Sequence, residues 1–405
     1  MDDGLDQGNY IICAANKQGG LESNHPNMLT TSIFLGALGL IPMCSAVPHY
    51  VPSRIDLNHR PVPGMRHKYG IETISEANLF WFGSFDVGSS KNLTLLVDTG
   101  SADVIVNPGL YKKGSRAIDI NENFTITYAT TKSDGSGSGT VTGQMYNDTV
   151  KFGSMEAHQT VGSADGTALI PADGIVGFAG LAVSSFHGAA PFFHSLCQQG
   201  QVADCRFGIT LWEDGKGTQV LGALDKSLFK GELTTASVVI QEWALYADIA
   251  LDNKIIKSNA LVELDTGTAT VIGPFEEVIE IFKASGIQAV VQTTEDSGTT
   301  IKSVTGYFPC NQPPIFGFSI PSRKNATAAA KQHSKLVSHR SSIFNIAPDQ
   351  WIAADNGNNN CTAIVSGTSS MPVEGLWVVG QPFFHGTYVD HNLKDGTLGF
   401  APANC

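Results

Sequence analysis

Charged side chains are scarce in this chain: Asp, Glu, Lys and Arg together make up 15% of its 405 residues. A solvent-facing helix needs a polar, largely charged outer face, so long surface helices are excluded as the main element. Basic residues are the scarcer kind. The 25 lysines and arginines against 37 acidic residues leave a net charge of −12, which argues against a nucleic-acid-binding surface. None of the 11 histidines stands in a His-Glu-x-x-His motif or a comparable ligand spacing. A metal-dependent hydrolase therefore finds no ligands, and neither a metal nor another cofactor is expected. Long apolar runs are missing too. The stretch over residues 32–43 is too short to span a bilayer, and the closing Gly399-Phe400-Ala401-Pro402 carries no apolar tail of the lipid-anchor kind. The mature form is expected to lack a membrane span.

What is present reads as β structure. An apolar content of 42% allows a sizeable core, and 405 residues fit two domains or lobes. Short runs such as Asn123-Phe124-Thr125-Ile126-Thr127-Tyr128 are broken by Gly-rich turns, a predominantly β pattern. The clearest helix candidate covers residues 274–284, with Pro274 at its start and acidic residues in the first turn.

Residues 28–46 look like a secretory signal peptide, with small residues at Cys44-Ser45-Ala46 where cleavage would fall. Residues 1–27 precede it, polar and carrying Asp2, Asp3 and Asp6, and are an extension of uncertain standing. The localisation expected is secreted, with a vacuole or another acidic compartment as the alternative. Of the seven cysteines, Cys13 and Cys44 would leave with the leader. Cys197 and Cys205 lie close in sequence and are read as one disulfide. Cys310 and Cys361 would close a long loop, and Cys405 has no evident partner. Sequence alone does not prove connectivity. Asn92, Asn123, Asn147, Asn325 and Asn360 stand in glycosylation triplets.

Two segments say nearly the same thing. Asp98-Thr99-Gly100-Ser101 and Asp265-Thr266-Gly267-Thr268 each follow an apolar run, Leu95-Leu96-Val97 and Leu261-Val262-Glu263-Leu264, and each precede another. They stand 167 residues apart, about one lobe's length. Two strands that end in Asp-Thr-Gly turns can bring two carboxylates face to face. Like charges about 3 Å apart cannot both ionise, so such a pair shares a proton. The ionised member can take a proton from water, and the protonated member can donate to a carbonyl oxygen. Gly100 and Gly267 let backbone N–H groups approach the carboxylates. Thr99 and Thr266 can cross-link the turns, and Ser101 and Thr268 can donate to the outer carboxylate oxygens. Asp296-Ser297-Gly298-Thr299 satisfies the same loose pattern, but Thr293-Thr294-Glu295 precedes it and no apolar strand does. It is read as a hairpin turn.

These turns, with Asp173-Gly174-Ile175-Val176-Gly177-Phe178-Ala179, Trp377-Val378-Val379-Gly380 and the ending Tyr388-Val389-Asp390 through Leu398-Gly399-Phe400-Ala401, resemble a pepsin-like aspartic peptidase from about residue 71 onward. The leucine- and serine-rich texture is similar to that of fungal secreted members. The resemblance implies an all-β, bilobal fold with pseudo-two-fold symmetry and a central cleft. Its lobes would be residues 71–228 and 229–405, after a short propeptide at 47–70. It further implies a monomeric acid endopeptidase with Asp98 and Asp265 as catalytic pair. An extended peptide would lie in the cleft, a β-hairpin flap at about 124–150 would close over it, and Cys310–Cys361 would be the second lobe's disulfide. Clefts of this kind lead to an expected apolar preference on both sides of the cut.

Two departures stand out. The Ile126-Thr127 lead-in makes Tyr128 the flap tyrosine with a lengthened tip, whereas counting back from Val141-Thr142-Gly143 puts Ser136 there. Ile105 occupies the place of the family's usual tryptophan, whose indole hydrogen-bonds that tyrosine. Arg66-His67-Lys68-Tyr69 resembles the family's propeptide lysine-tyrosine step, so Lys68 is expected between the two aspartates before maturation. The basic stretch over 321–342 reads as a solvated loop. A catalytically weak or inactive binding protein on the same fold is the competing reading. Such relatives typically lose an active-site residue, and Asp98, Thr99, Gly100, Asp265, Thr266 and Gly267 are all present here.

Overall fold

The computed structural model describes residues 53–59, 80–128, 139–170, 172–212, 216–296, 298–322, 341–371 and 373–404. Residues 1–27, the stretch 28–46 expected as a signal peptide, most of the 47–70 segment with Lys68, and Ser136, Asn325 and Cys405 lie outside them. Among the described residues the fold is all-β and bilobal, with a 13-stranded and a 10-stranded sheet.

Each half repeats one local topology. In the first, Ser90–Asp98 runs parallel to Gly174–Gly177 with Asp98 opposite Gly177, and Val104–Val106 pairs antiparallel on the other side of that strand. The strands before and after the Asp98 turn are therefore separated by a third strand. The second half does the same. Lys254–Leu264 runs parallel to Leu376–Val379, and Val271–Pro274 pairs antiparallel with it. The turn must arch over the end of the middle strand, which leaves its backbone and side chains facing outward instead of closing a hairpin.

A glycine ends each middle strand for a steric reason. A Cβ on Gly177 would lie 2.4 Å from the Ala102 backbone, and one on Gly380 would lie 2.1 Å from the Thr268 carbonyl. Backbone bonds seal these crossings. Phe178 N–H donates to Asp98 O at 2.7 Å, and Gln381 N–H donates to Thr268 O at 2.9 Å.

The two halves share a floor. Thr387–Asn392 pairs within the larger sheet with Arg206–Leu211 of the first half on one edge and with Thr397–Pro402 on the other. Arg206 grips buried Asp390 with two bonds, 3.0 Å from Nε and 2.7 Å from Nη2. Between this floor and the Asp98 turn lies an aromatic cluster. Phe207 stacks on His391 at 4.4 Å and meets Phe178 and Trp243 edge-on. The strand Ser53–His59, inside the segment expected as propeptide, pairs with Lys216–Leu221 and extends this floor.

The expected helix is Phe275–Ser285, preceded by Pro274 and ended by Gly286 in the left-handed region at φ 72°. Its Glu277 accepts from the Trp377 indole at 2.8 Å, which fastens it behind the second turn. A second helix, Phe192–Gln198, was not legible because its run is only seven residues long, too short to show a helical period. Asp296 pairs with Thr299 across a two-residue turn, so the third Asp-Ser/Thr-Gly is a hairpin as read.

Cys310 and Cys361 are disulfide-bonded with a Cα separation of 5.0 Å. The expected Cys197–Cys205 bond is corrected: these are two free thiols, half-buried and within hydrogen-bonding reach of each other. Asn92, Asn123 and Asn360 are exposed, whereas Asn147 is half-buried.

Candidate active site

The two turns meet at the junction of the halves and interlock through their threonines. Thr99 Oγ donates to Leu264 O at 2.8 Å and accepts from Thr266 N–H at 2.9 Å. Thr266 Oγ donates to Val97 O at 2.8 Å and accepts from Thr99 N–H at 3.1 Å. Each hydroxyl thus reads the backbone of the opposite turn. All four bonds are buried, where an unpaired group would cost about 1–3 kcal/mol, so the two loops are held in one mutual position.

That lock sets Asp98 and Asp265 against each other. Gly100 N–H donates to Asp98 Oδ1 at 2.8 Å, and Gly267 N–H donates to Asp265 Oδ1 at 2.7 Å. The outer oxygens accept from Ser101 and Thr268 hydroxyls, each at 2.5 Å. A Cβ on Gly100 would lie 2.6 Å from Asp265, and one on Gly267 would lie 2.4 Å from Asp98. Each glycine therefore makes room for the other half's carboxyl, a requirement the sequence pattern alone leaves invisible. The two carboxyls share a hydrogen bond, and both are 1% exposed.

Burial pushes both pKa values above the ordinary carboxylate range. The bonds from Asp265, Ser101 and Gly100 favour the ionised form of Asp98 and oppose that rise. Asp265 is pushed further, since burial is joined by the charge of Asp98. The two carboxyls accordingly hold one proton between them, so one can act as base while the other acts as acid.

Tyr128 ends the strand Ile118–Tyr128, paired with Gly139, and is buried in an apolar cluster with Ile105, Phe124, Ile126 and Ala269. Ala269 adjoins the second turn, so Tyr128 sits at the junction of the two halves. Ile105 is fully buried beside it, and its side chain offers no hydrogen-bonding atom. The hairpin tip over 129–138 lies outside the described residues.

One group escaped the sequence reading. Glu263 interrupts the apolar run before Asp265, yet it is buried at 6% exposure. Side-chain alternation along an extended strand directs it to the same side as Asp265. An acid inside a strand whose neighbours are Val262 and Leu264 was the available signal. Gln381 was also missed: its amide donates to Thr266 O at 2.8 Å and braces the second turn.

The family model described as eukaryotic aspartyl protease matches residues 80–403. Over 343 residues the chain is 28% identical to secreted aspartyl protease 1 of Malassezia globosa, covering 82% of this chain and 76% of that one. It is 27% identical over 376 residues to gastricsin of Oryctolagus cuniculus, covering 85% and 88% respectively. Among solved structures it is similar to an aspartic proteinase from Irpex lacteus at a TM-score of 0.64 and 18% identity, over 87% of this chain and 98% of that chain. A likeness at that identity concerns the fold.

Proposed function

The chain belongs to the eukaryotic aspartyl protease family, and we propose that it is a secreted endopeptidase that hydrolyses peptide bonds at acid pH with the pair Asp98 and Asp265. Asp98, ionised, takes a proton from a water held between the carboxyls. The oxygen of that water attacks the scissile carbonyl carbon, and Asp265 donates its proton to the carbonyl oxygen as negative charge develops there. The tetrahedral intermediate then collapses. The C–N bond breaks, Asp98 passes its proton to the leaving nitrogen, and Asp265 recovers one from the gem-diol. The pair returns to its single-proton state. Both carboxyls come from one chain, so a monomer suffices.

The observation that carries this reading is the reciprocal network around the pair. Every hydroxyl and N–H that would fix the two carboxyl rotamers is in place. Secretion is supported by the leader-like residues 28–46 and by the secreted relative. The test is digestion of a denatured protein at about pH 3–5, with and without a transition-state-analogue inhibitor of aspartic peptidases, and with Asp265→Asn alongside. Cleavage that the inhibitor and the substitution both abolish is the expected result. Undiminished cleavage by the variant would move the chemistry to other residues, and no cleavage by the wild type would leave a binding protein on this fold.

A further inference from the structure

Glu263 is a carboxyl the dyad chemistry does not use. It is nine-tenths buried and has neither a hydrogen bond nor a cationic partner among the described residues. The charges that bear on it are those of Glu242 and Asp98, both of its own sign, and it bears in turn on Asp265. Its neighbours across the adjoining strands, Ala244 and Val378, carry no charge. A buried, unpaired ion is costly unless a counter-charge arrives. The fold does not ask for this acid, because the position two residues before Asp98 is filled by Leu96, fully buried in an otherwise equivalent strand.

Glu242 gives the group a way out to solvent. It is half-exposed and lies in the short 241–243 segment that bridges the halves. Gly180 N–H donates to Gln241 O at 2.7 Å, and the Trp243 indole donates to Phe178 O at 2.9 Å. From this anchored segment the Glu242 charge bears on Glu263. Glu263 stands two residues before Asp265 on the same side of its strand, so a chain that brings a peptide bond to the pair carries a neighbouring side chain toward it.

We propose that Glu263 and Glu242 form an acidic subsite that receives the lysine or arginine side chain of a substrate residue adjoining the scissile bond. A lysine ammonium has three donors and can bridge two carboxylates, and an arginine fork can bind one bidentately. The aliphatic stem passes the apolar wall, and the charged head reaches the acids. The inference rests on the peptidase reading and replaces the expectation of apolar residues on both sides of the cut by a basic residue on one. Acid weakens the preference, because the facing groups Glu242, Glu263, Asp98 and Asp265 all gain protons as pH falls.

The experiment is cleavage of a peptide library by the mature wild-type enzyme. Kinetics then follow on matched peptides with lysine or norleucine at the selected position, at about pH 3 and about pH 6. Glu263→Gln and Glu242→Gln are compared with wild type, the second because its half-exposed site tolerates the change whether or not the first folds. The expected result is enrichment of lysine and arginine at one position beside the cut. The lysine-to-norleucine ratio of kcat/KM should fall about tenfold in each variant, the equivalent of one charge-assisted hydrogen bond, and should also fall in wild type at the lower pH. Cleavage without basic enrichment, or enrichment that neither substitution alters, would overturn the subsite while leaving the peptidase reading intact. Absence of any cleavage by the wild type would overturn both.

Discussion

Around Asp98 and around Asp265 the same parts recur. Each has an apolar strand, an Asp-Thr-Gly turn, a hydroxyl on the outer oxygen, and a glycine-ended strand beneath. The surroundings differ in two respects. The place of Leu96 in one half is taken by Glu263 in the other, and the second half carries a disulfide where the first has two thiols. The shared parts are those that fix the carboxyls. The differing parts lie one layer out, where substrate selection and local stability can change without disturbing the pair.

If the two turns are equivalent in the chemistry, Asp98→Asn and Asp265→Asn should each lower kcat by about 10³-fold or more with little change in KM. Single-turnover assays on a sensitive peptide check this, and a mild loss in one variant alone would break the equivalence. The two halves should part company on reduction. Opening Cys310–Cys361, which spans 51 residues, should cost about 4 kcal/mol in the second half. The thiol pair in the first half should give no such change. Hydrogen exchange with and without reductant reads the difference.

Thr99→Val and Thr266→Val should each destabilise by about 1–3 kcal/mol and act non-additively when combined, since the hydroxyls share one lock. A denaturant double-mutant cycle measures this, and strict additivity would show two independent turns. The smallest effects concern pH. The dyad's raised values mean that its stabilising contribution is full below the ordinary Asp value and is lost as pH rises through the folded values. His391 carries the opposite sign. Burial lowers it to about 3, so its contribution is present above the ordinary histidine value and is lost as pH falls toward 3. Thermal melts across about pH 3–8 should show Asp265→Asn flattening the neutral limb and His391→Phe the acid limb, each by about 1–2 kcal/mol. Unchanged slopes would remove these groups from the balance.

Much of the site could be read directly. The doubled turn with its apolar flanks separated the true pair from the Asp296 hairpin, because a strand must lead into the turn for its carboxylate to be buried. Phe275–Ser285 was legible from its acidic first turn and the proline at its start. Phe192–Gln198 was not, since seven residues are too few for a period to distinguish helix from strand. Cys197 and Cys205, close in sequence, are two thiols in mutual reach, a redox state that spacing does not carry. Glu263 was passed over because a single acid in an apolar run looks like noise until its burial is known.

The order of residues by itself determined the local chemistry: which turns carry carboxylates, which positions are small, and which hydroxyls stand within reach of their own aspartate. Such relations span two or three residues and follow from backbone geometry. The meeting of the two turns was decided only in three dimensions. Four threonine bonds, two glycines that each clear the opposite carboxyl, and the company Glu263 keeps are contacts between residues far apart in the chain. Proton sharing depends on separation and dehydration, and both exist only once the halves have packed together.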